Sequence, residues 1–355
     1  MRIARVHFYV EDAITWRDWF VHHLGFQRLD DYALSSSFPG RGDTASHTRT
    51  EVVKSGSVCF VLSSAISSIS PVAKYLRQHP PGVVDVAFEV ENLSAIVALA
   101  KAHGTKVIQP TVQYQEDRIY IKQAKVIAWG GLTHTLLEKQ LTQPVENYSP
   151  PECIQTIDHI VLNVAVGDLK AAVAWYQNIL GFQPQQRFNI QTEYSALHSQ
   201  VMVSQDGGVQ LPINEPATPN SQIQEFLNAN QGAGIQHIAL QTSDMIGNIA
   251  QFRSRGVSFL PISPSYYSHL QQRTNLPLKP NELLEVAKQE ILVDWKEDIP
   301  NALLLQIFTQ PIFTQPTFFF EFIERRECAQ GFGEGNFRAL FEAMEIEQMK
   351  RGSLK

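Results

Sequence analysis

The feature that most constrains this chain is that it repeats itself. Residues 5–29 read RVHFYVEDAITWRDWFVHHLGFQRL and residues 157–183 read IDHIVLNVAVGDLKAAVAWYQNILGFQ. Both run from a His-bearing apolar stretch into an amphipathic helix, with an aromatic residue (Phe20, Tyr176) four positions before the leucine of an LGF tripeptide. The glycines of LGF, Gly25 and Gly181, suit a helix C-terminus after which the chain resumes as a strand. A second pair recurs within the halves: GVVDVAFEVENLSAIVALAKAHGTKVI (82–108) matches GIQHIALQTSDMIGNIAQFRSRGVSFL (234–260). Each is a short β-type run, a turn with an acidic residue, a helix of about ten residues, then glycine and another strand. The four units start near residues 4, 82, 156 and 234, so the last two follow the first two at a constant 152. Duplication of a two-unit module is the economical reading.

Strand-like stretches follow the helices at 192–205, 209–214, 301–310 and 317–325. The units are therefore βαβββ modules with short helices on mixed sheets, an α+β class. Polar and Pro-rich linkers fall at 141–156 and around 215–233, dividing the chain into domains 1–145 and 153–355. The tail opens with GFGEGNF and turns helical as FRALFEAMEIEQMKR, with Phe337, Leu340, Phe341 and Met344 on one face, giving a C-terminal helical segment over 331–351.

Composition removes several classes. Lys plus Arg is 29 against 35 for Asp plus Glu, a net charge of −6 that argues against nucleic acid or an anionic membrane as partner. Hydrophobic residues at 44% and charged residues at 18% exclude disorder as the main state. The 3 cysteines, Cys59, Cys153 and Cys328, make neither a disulfide framework nor a CxxC zinc motif. With no signal-like or membrane-spanning apolar run, the expectation is a cytoplasmic protein.

Three ionisable residues sit inside otherwise apolar β-runs of the second half: His159 in DHIVLNV, His237 in QHIALQT and Glu321 in FFFEFIE. Each is costly to bury unless paired, hydrogen-bonded or metal-bound. The two histidines stand at the start of equivalent strands, so the repeat brings them together across a pseudo-twofold axis. Two imidazoles and one carboxylate form the facial set that binds non-heme Fe(II) and leaves open positions. The same pattern also fits two hydrogen-bonded strand histidines and an ion-paired glutamate. In the first half, alignment of the repeats sets His7 opposite His159, Asp85 opposite His237 and Glu138 opposite Glu321. The expectation there is a relic without a working metal site. His198 reads as a surface or supporting histidine, and His22 and His23 as a solvated pair. GFGEGNF is not a dinucleotide fingerprint, because no strand-turn-helix unit surrounds its glycines.

Taken in order, DHIVLNV, LPINEP (211–216), SQIQEFL (221–227), GAGIQHIAL (232–240), LLLQIFT (303–309), PTFFFEFIER (316–325) and GFGEGNF (331–337) resemble the 4-hydroxyphenylpyruvate dioxygenase family, built on the vicinal-oxygen-chelate (glyoxalase-like) fold. The likeness covers the whole second half and, through GVVDVAFEVENL, the first half more loosely. It implies a non-heme Fe(II) dioxygenase with one iron per chain and O₂ as co-substrate. The substrate would be 4-hydroxyphenylpyruvate, an aromatic 2-oxo acid, converted by oxidative decarboxylation, ring hydroxylation and side-chain migration to homogentisate and CO₂. That product feeds tyrosine catabolism or quinone biosynthesis.

Residue by residue, the resemblance assigns His159, His237 and Glu321 to the iron. It places Phe308 and Phe337 on the two faces of the substrate ring, with Phe332 and Phe341 as further walls from a C-terminal lid. Ser199, Asn214, Gln222, Gln236 and Gln306 form a polar set around the substrate, with Gln236 and Gln306 orienting it. Pro212 and Phe319 bear on the product: the branch forming 4-hydroxymandelate carries a smaller or polar residue at the first and an aliphatic one at the second. A bulky Phe319 beside the iron favours the ring over the benzylic carbon. A third reading, from another class, is a non-catalytic chelate-fold protein that sequesters a small aromatic. The resemblance also implies a homo-oligomer, a dimer or tetramer.

Overall fold

The computed structural model describes residues 1–29, 47–116, 119–141, 153–273, 275–296, 299 and 301–354. Most of the linker expected at 141–156 lies outside them. The first sheet is built from β1 (Arg2–Tyr9), β2 (Gln27–Arg28), β3 (Thr48–Ser55), β4 (Val58–Ala65), β5 (Gly82–Glu89), β6 (Val107–Glu116), β7 (Ile119–Ile127) and β8 (Thr133–Leu141). The second uses β9 (Thr156–Asn163), β10 (Gln183–Gln191), β11 (Ala196–Val203), β12 (Gln210–Pro216), β13 (Gly234–Gln241), β14 (Leu292–Trp295), β15 (Leu303–Phe308) and β16 (Phe319–Arg326). Strand order is β2-β3-β4-β1-β5-β8-β7-β6 in one and β10-β11-β12-β9-β13-β16-β15-β14 in the other. These are position-for-position copies except that the last three strands of the second sheet follow longer insertions.

The helices are α1 (Ala13–Leu24), α2 (Pro71–Leu76), α3 (Leu93–Ala102), α4 (Leu169–Leu180), α5 (Gln222–Asn230), α6 (Met245–Ser254), α7 (Pro264–Leu270), α8 (Pro280–Lys288) and α9 (Phe337–Arg351). Their ends follow from local chemistry. Asp12 caps α1 by accepting from the Thr15 amide, and Asn92 and Asp244 do the same for α3 and α6. Gly25 and Gly181 stop α1 and α4 in the left-handed region, at φ 74° and 71°.

In each sheet the central pair, β1–β5 or β9–β13, is antiparallel and its outer neighbours pair parallel. One apolar core runs between the two sheets. Phe20 of α1 reaches Phe320 of the second sheet, and Tyr176 of α4 reaches His134 of the first. The opposite face of the second sheet is covered in part by α9. Among the described residues no helix is long and apolar enough to cross a membrane.

Candidate metal centre and substrate cavity

The sheet register assembles the three candidate ligands. Ala239 on β13 stands opposite His159 on β9 and opposite Glu321 on β16, and His237 lies two residues away on the same face. The small Ala239 side chain leaves the space between the three strands to the larger ones. His159 Nε2 is 3.1 Å and His237 Nε2 3.7 Å from Glu321 Oε2, and one donor atom from each residue lies within 4.8 Å of the others. His159 and Glu321 are buried and His237 nearly so.

The partners behind these atoms fix their direction. His159 Nδ1 donates to Asp158 Oδ1 at 2.8 Å, which fixes the ring with Nε2 toward Glu321. Asp158 is gripped in turn by Arg325, whose Nε and Nη2 donate at 2.7 and 2.8 Å to its two oxygens. Arg325 Nη1 also donates to the carbonyls of Ala329 and Gly331, where the chain turns toward α9. Gln306 Nε2 donates to Glu321 Oε1 at 2.8 Å and to the Phe332 carbonyl, and its Oε1 accepts from Asn336. Gly333, at φ 73°, belongs to this network because a Cβ there would collide with the Gln306 amide.

Electrostatics agree with a cation at this place. Burial alone lowers an imidazole, yet the Glu321 and Asp158 carboxylates push His159 up to about 9. Burial and the neighbouring His159 hold His237 far below its ordinary value, and its buried Nδ1 has no hydrogen-bond partner among the described residues. Burial raises a carboxyl, but Arg325 and His159 outweigh it and hold Asp158 well below the carboxylate range. Two carboxylates are thus focused on a pair of imidazoles, and the donor set suits a divalent transition metal.

A cavity of about 90 Å³ lies over the three ligands. Every substrate residue assigned by resemblance lines it: Ser199, Asn214, Gln222, Gln236, Gln306, Phe308, Phe319, Phe332, Phe337 and Phe341, with Pro212. Phe319 stacks on His237, ring centres 4.8 Å apart, and Phe332 meets His159 edge-on at 5.2 Å. Ser199 and Asn214 face each other across β11 and β12. The Gln306 amide, which also lines the cavity, bonds Glu321, Phe332 and Asn336 and so holds the Glu321 carboxylate and the turn before α9. The four apolar residues of the α9 stripe, Phe337, Leu340, Phe341 and Met344, all reach the cavity. The far end of α9 is latched by Glu345, which accepts from Thr192 and Ser195, and by Arg351 on Glu225.

Sequence reasoning missed several members. Asp158 and Arg325 stand next to motif residues but carry no signal until β9 and β16 are brought together in one sheet. Phe188 and Ile190 of β10 also line the cavity, and their period-two alternation with polar residues in RFNIQ was the available clue. Residues 192–195, expected within a strand, form the turn that holds Glu345. His198 bonds Asn189 on β10, outside the cavity, and His22 and His23 bond carbonyls of their own helix.

The first half is matched differently from expectation. The Val10 amide donates to Ser63 O and the Val164 amide to Asn214 O, which makes Arg5, not His7, the counterpart of His159. Consistently, Arg5 stands opposite Ala87 as His159 stands opposite Ala239. Asp85 pairs with Thr133 as His237 pairs with Phe319, so Thr135, not Glu138, matches Glu321. Glu138 matches Glu324, since they accept from the Leu93 and Met245 amides that open α3 and α6. The repeat alignment holds for Asp85 and misplaces His7 and Glu138, because the lengths between elements differ in the two halves. Moving a strand by two residues keeps the face and moving it by three reverses it. His7 is therefore on the expected face one step away, and Glu138 is on the wrong one. At the mirrored site Asp85 accepts from Thr133 and Thr135 and pairs with Lys125 Nζ at 3.3 Å.

Comparison with known proteins agrees with this architecture. Residues 156–273 match the Glyoxalase/Bleomycin resistance protein/Dioxygenase superfamily. The chain is 38% identical to 4-hydroxyphenylpyruvate dioxygenase of Caenorhabditis briggsae over 98% of its own length and 92% of the relative's. With the enzyme of the same description from Yarrowia lipolytica it shares 35% over 98% and 92%. A solved structure of a 4-hydroxymandelate synthase variant from Streptomyces coelicolor superposes with a TM-score of 0.82 at 26% identity, covering 98% of both chains.

Proposed function

The chain belongs to the 4-hydroxyphenylpyruvate dioxygenase family, and from that premise we propose that its second-sheet cavity converts 4-hydroxyphenylpyruvate and O₂ to homogentisate and CO₂. The observation that carries the reading is the His159–His237–Glu321 cluster on three adjacent strands beneath a cavity walled by Phe308, Phe319, Phe332 and Phe337. These three residues would hold Fe(II), one per chain. Bound there, the metal would supply the redox chemistry and leave positions for the 2-oxo acid and dioxygen.

The rest is done by the chain. Asp158 holds His159 in the tautomer that offers Nε2, and Gln306 holds the second oxygen of Glu321, so two of three ligands are fixed before metal arrives. Phe308 and Phe337 take the aromatic ring, where an error of about 1 Å in placement is expensive. Ser199, Asn214, Gln222 and Gln236 offer neutral donors and acceptors to the phenol and carboxylate without stranding a charge. Phe319, stacked on His237, fills the space beside the ligands and favours the ring over the benzylic carbon. Helix α9 excludes water by laying Phe337, Leu340, Phe341 and Met344 over the cavity. In this reading residues 1–145 have no working metal site, because an ammonium already neutralises Asp85.

Product identification tests the proposal. Purified chain with Fe(II), substrate and O₂ should yield homogentisate by mass and retention time. Accumulation of 4-hydroxymandelate would overturn the product assignment, and substrate binding without oxygen uptake would favour a sequestering protein.

A further inference from the structure

Phe188, on the edge strand β10, stands between helix α9 and the candidate metal centre. Its ring meets that of Phe337 edge-on, centres 5.2 Å apart, and that of Phe332 at 6.4 Å. Phe332 in turn meets the His159 imidazole at 5.2 Å, so the rings run in one line from α9 to a candidate ligand. We propose that Phe188 is a positioning residue of the reaction: it fixes the Phe337 ring and, through it, the substrate ring over the metal centre. This role presupposes the function proposed above.

The strand supplies the aim. Along RFNIQ of β10, Phe188 and Ile190 face the cavity, and Arg187, Asn189 and Gln191 are exposed. Register sets Phe188 opposite Ser199 and Ser199 opposite Asn214, a row across three strands that ends on the polar lining. Val201 and Val203 of β11 pack with Phe332, and Phe188 and Phe337 lie against that cluster.

Phe337 needs such a stop because of where it sits. It is the first residue of α9, just after a turn in which Gly331 and Gly333 take φ of 95° and 73°. The turn is held by other groups: Arg325 bonds the Gly331 carbonyl, Gln306 the Phe332 carbonyl, and Asn336 the Gln306 amide. None of these bonds reaches the Phe337 side chain, and a facing ring selects among its staggered torsions. Farther along, Phe341 packs with Leu197 and Ile223 beside Ile190, and Glu345 accepts from Thr192 and Ser195. Those contacts seat α9 without Phe188, so removing its ring frees Phe337 and leaves the helix in place. The opposite wall, Phe308, is fixed by pairing with Glu321 on β16. One side of the slot is thus set by the sheet and the other by Phe188.

The test compares Phe188→Ala, Phe188→Leu and, on the opposite face of the same strand, Arg187→Ala, each as the full metal-loaded chain. In crystals of Phe188→Ala the Phe337 ring should leave its parent position while Phe308, His159, His237 and Glu321 keep theirs. In solution kcat for homogentisate should fall roughly tenfold to a hundredfold, the cost of misplacing the ring by about 1 Å. KM should change little, and oxygen uptake should exceed product. Phe188→Leu restores bulk without a ring and should fall between, while Arg187→Ala should match the parent. If Phe188→Ala does not fold, Phe188→Leu carries the same readings. A Phe337 ring that stays in place, parent kcat with tight coupling, or an equal loss in Arg187→Ala would each overturn the inference. A parent chain that forms no homogentisate would count against the function proposed above, and the crystals would then decide whether Phe188 seats Phe337.

Discussion

The two halves present the same eight strands in the same order, and around the candidate metal centre they differ by substitutions at matched positions on one sheet face. Where the second half has His159, His237 and Glu321, the first has Arg5, Asp85 and Thr135. Where Phe308 walls the cavity, Lys125 extends an ammonium to Asp85. The grip behind the first ligand differs in the same way. Asp158 and Arg325 correspond to Ala4 and Lys139, and Lys139 pairs with Glu89. The scaffold therefore supplies positions, and chemistry is decided by which charge occupies them. Two imidazoles facing a carboxylate form a ligand set for an external cation; a carboxylate facing a lysine has an internal one.

The largest expected effect breaks the comparison outright. His159→Ala, His237→Ala and Glu321→Ala should each lose Fe(II) and turnover while the chain stays folded, since the core between the sheets does not depend on them. Asp85→Ala should keep iron content and rate per folded molecule near the parent value. Metal analysis and oxygen uptake on the four proteins check this. Stoichiometric iron with full activity in any of the first three, or its loss in the fourth, would invert the roles of the halves.

Next in size is α9, which has no counterpart among the described residues of the first half. A chain ending at Gly331 keeps the three ligands but loses Phe332, Phe337, Phe341 and the Asn336 contact to Gln306. It should bind iron and form almost no homogentisate, with oxygen consumed out of proportion to product. Tight coupling at the parent rate would leave α9 as a mere cover.

A third substitution sharpens the comparison at a distance from the ligands. Arg325→Met strands the buried Asp158 carboxylate and releases the 329–331 turn, giving the second half the ungripped arrangement of the first. Iron affinity should fall roughly 10- to 100-fold, the usual cost of losing a partner behind a metal ligand. Competition with a calibrated chelator measures it, and Arg325→Lys should fall between the two.

Much of this was legible before the fold was known, for identifiable reasons. A repeat survives in sequence because caps and turns are local: Asp12, Gly25, Asn92, Gly181 and Asp244 each act within a few residues. Buried ionisable residues in apolar runs stand out because burial without a partner is costly, which exposed His159, His237 and Glu321. The apolar stripe of α9 could be read because its period is helical. Register could not be read, because strand pairing is fixed by contacts far apart in sequence. Hence Glu138 was set against Glu321 when it caps α3, and the Asp158–Arg325 pair, 167 positions apart, was invisible.

The smallest effect concerns the core between the sheets. His134 occupies on β8 the place that Phe320 occupies on β16, and both are fully buried, so one half has a titratable group where the other has a phenyl ring. His134 Nδ1 lies 3.0 Å from the Val86 carbonyl and Nε2 3.1 Å from the Tyr176 hydroxyl, and burial lowers its pKa from 6.5 to about 4. Between those values the unfolded chain binds the proton more readily than the native one. Stability therefore falls as pH drops through that window and levels off below the native value. From pH 7 to 5 the loss from this residue should be about 2 kcal/mol. Replacing His134 and Tyr176 together by phenylalanine makes the site resemble Phe320 without stranding a hydroxyl. Urea midpoints at pH 7 and 5 should then separate less in the double variant than in the parent, by that amount and at an unchanged slope with denaturant. Other acid-sensitive groups, His7 among them, contribute equally to both proteins and cancel. Equal separations would mean that the proton lost on folding belongs elsewhere.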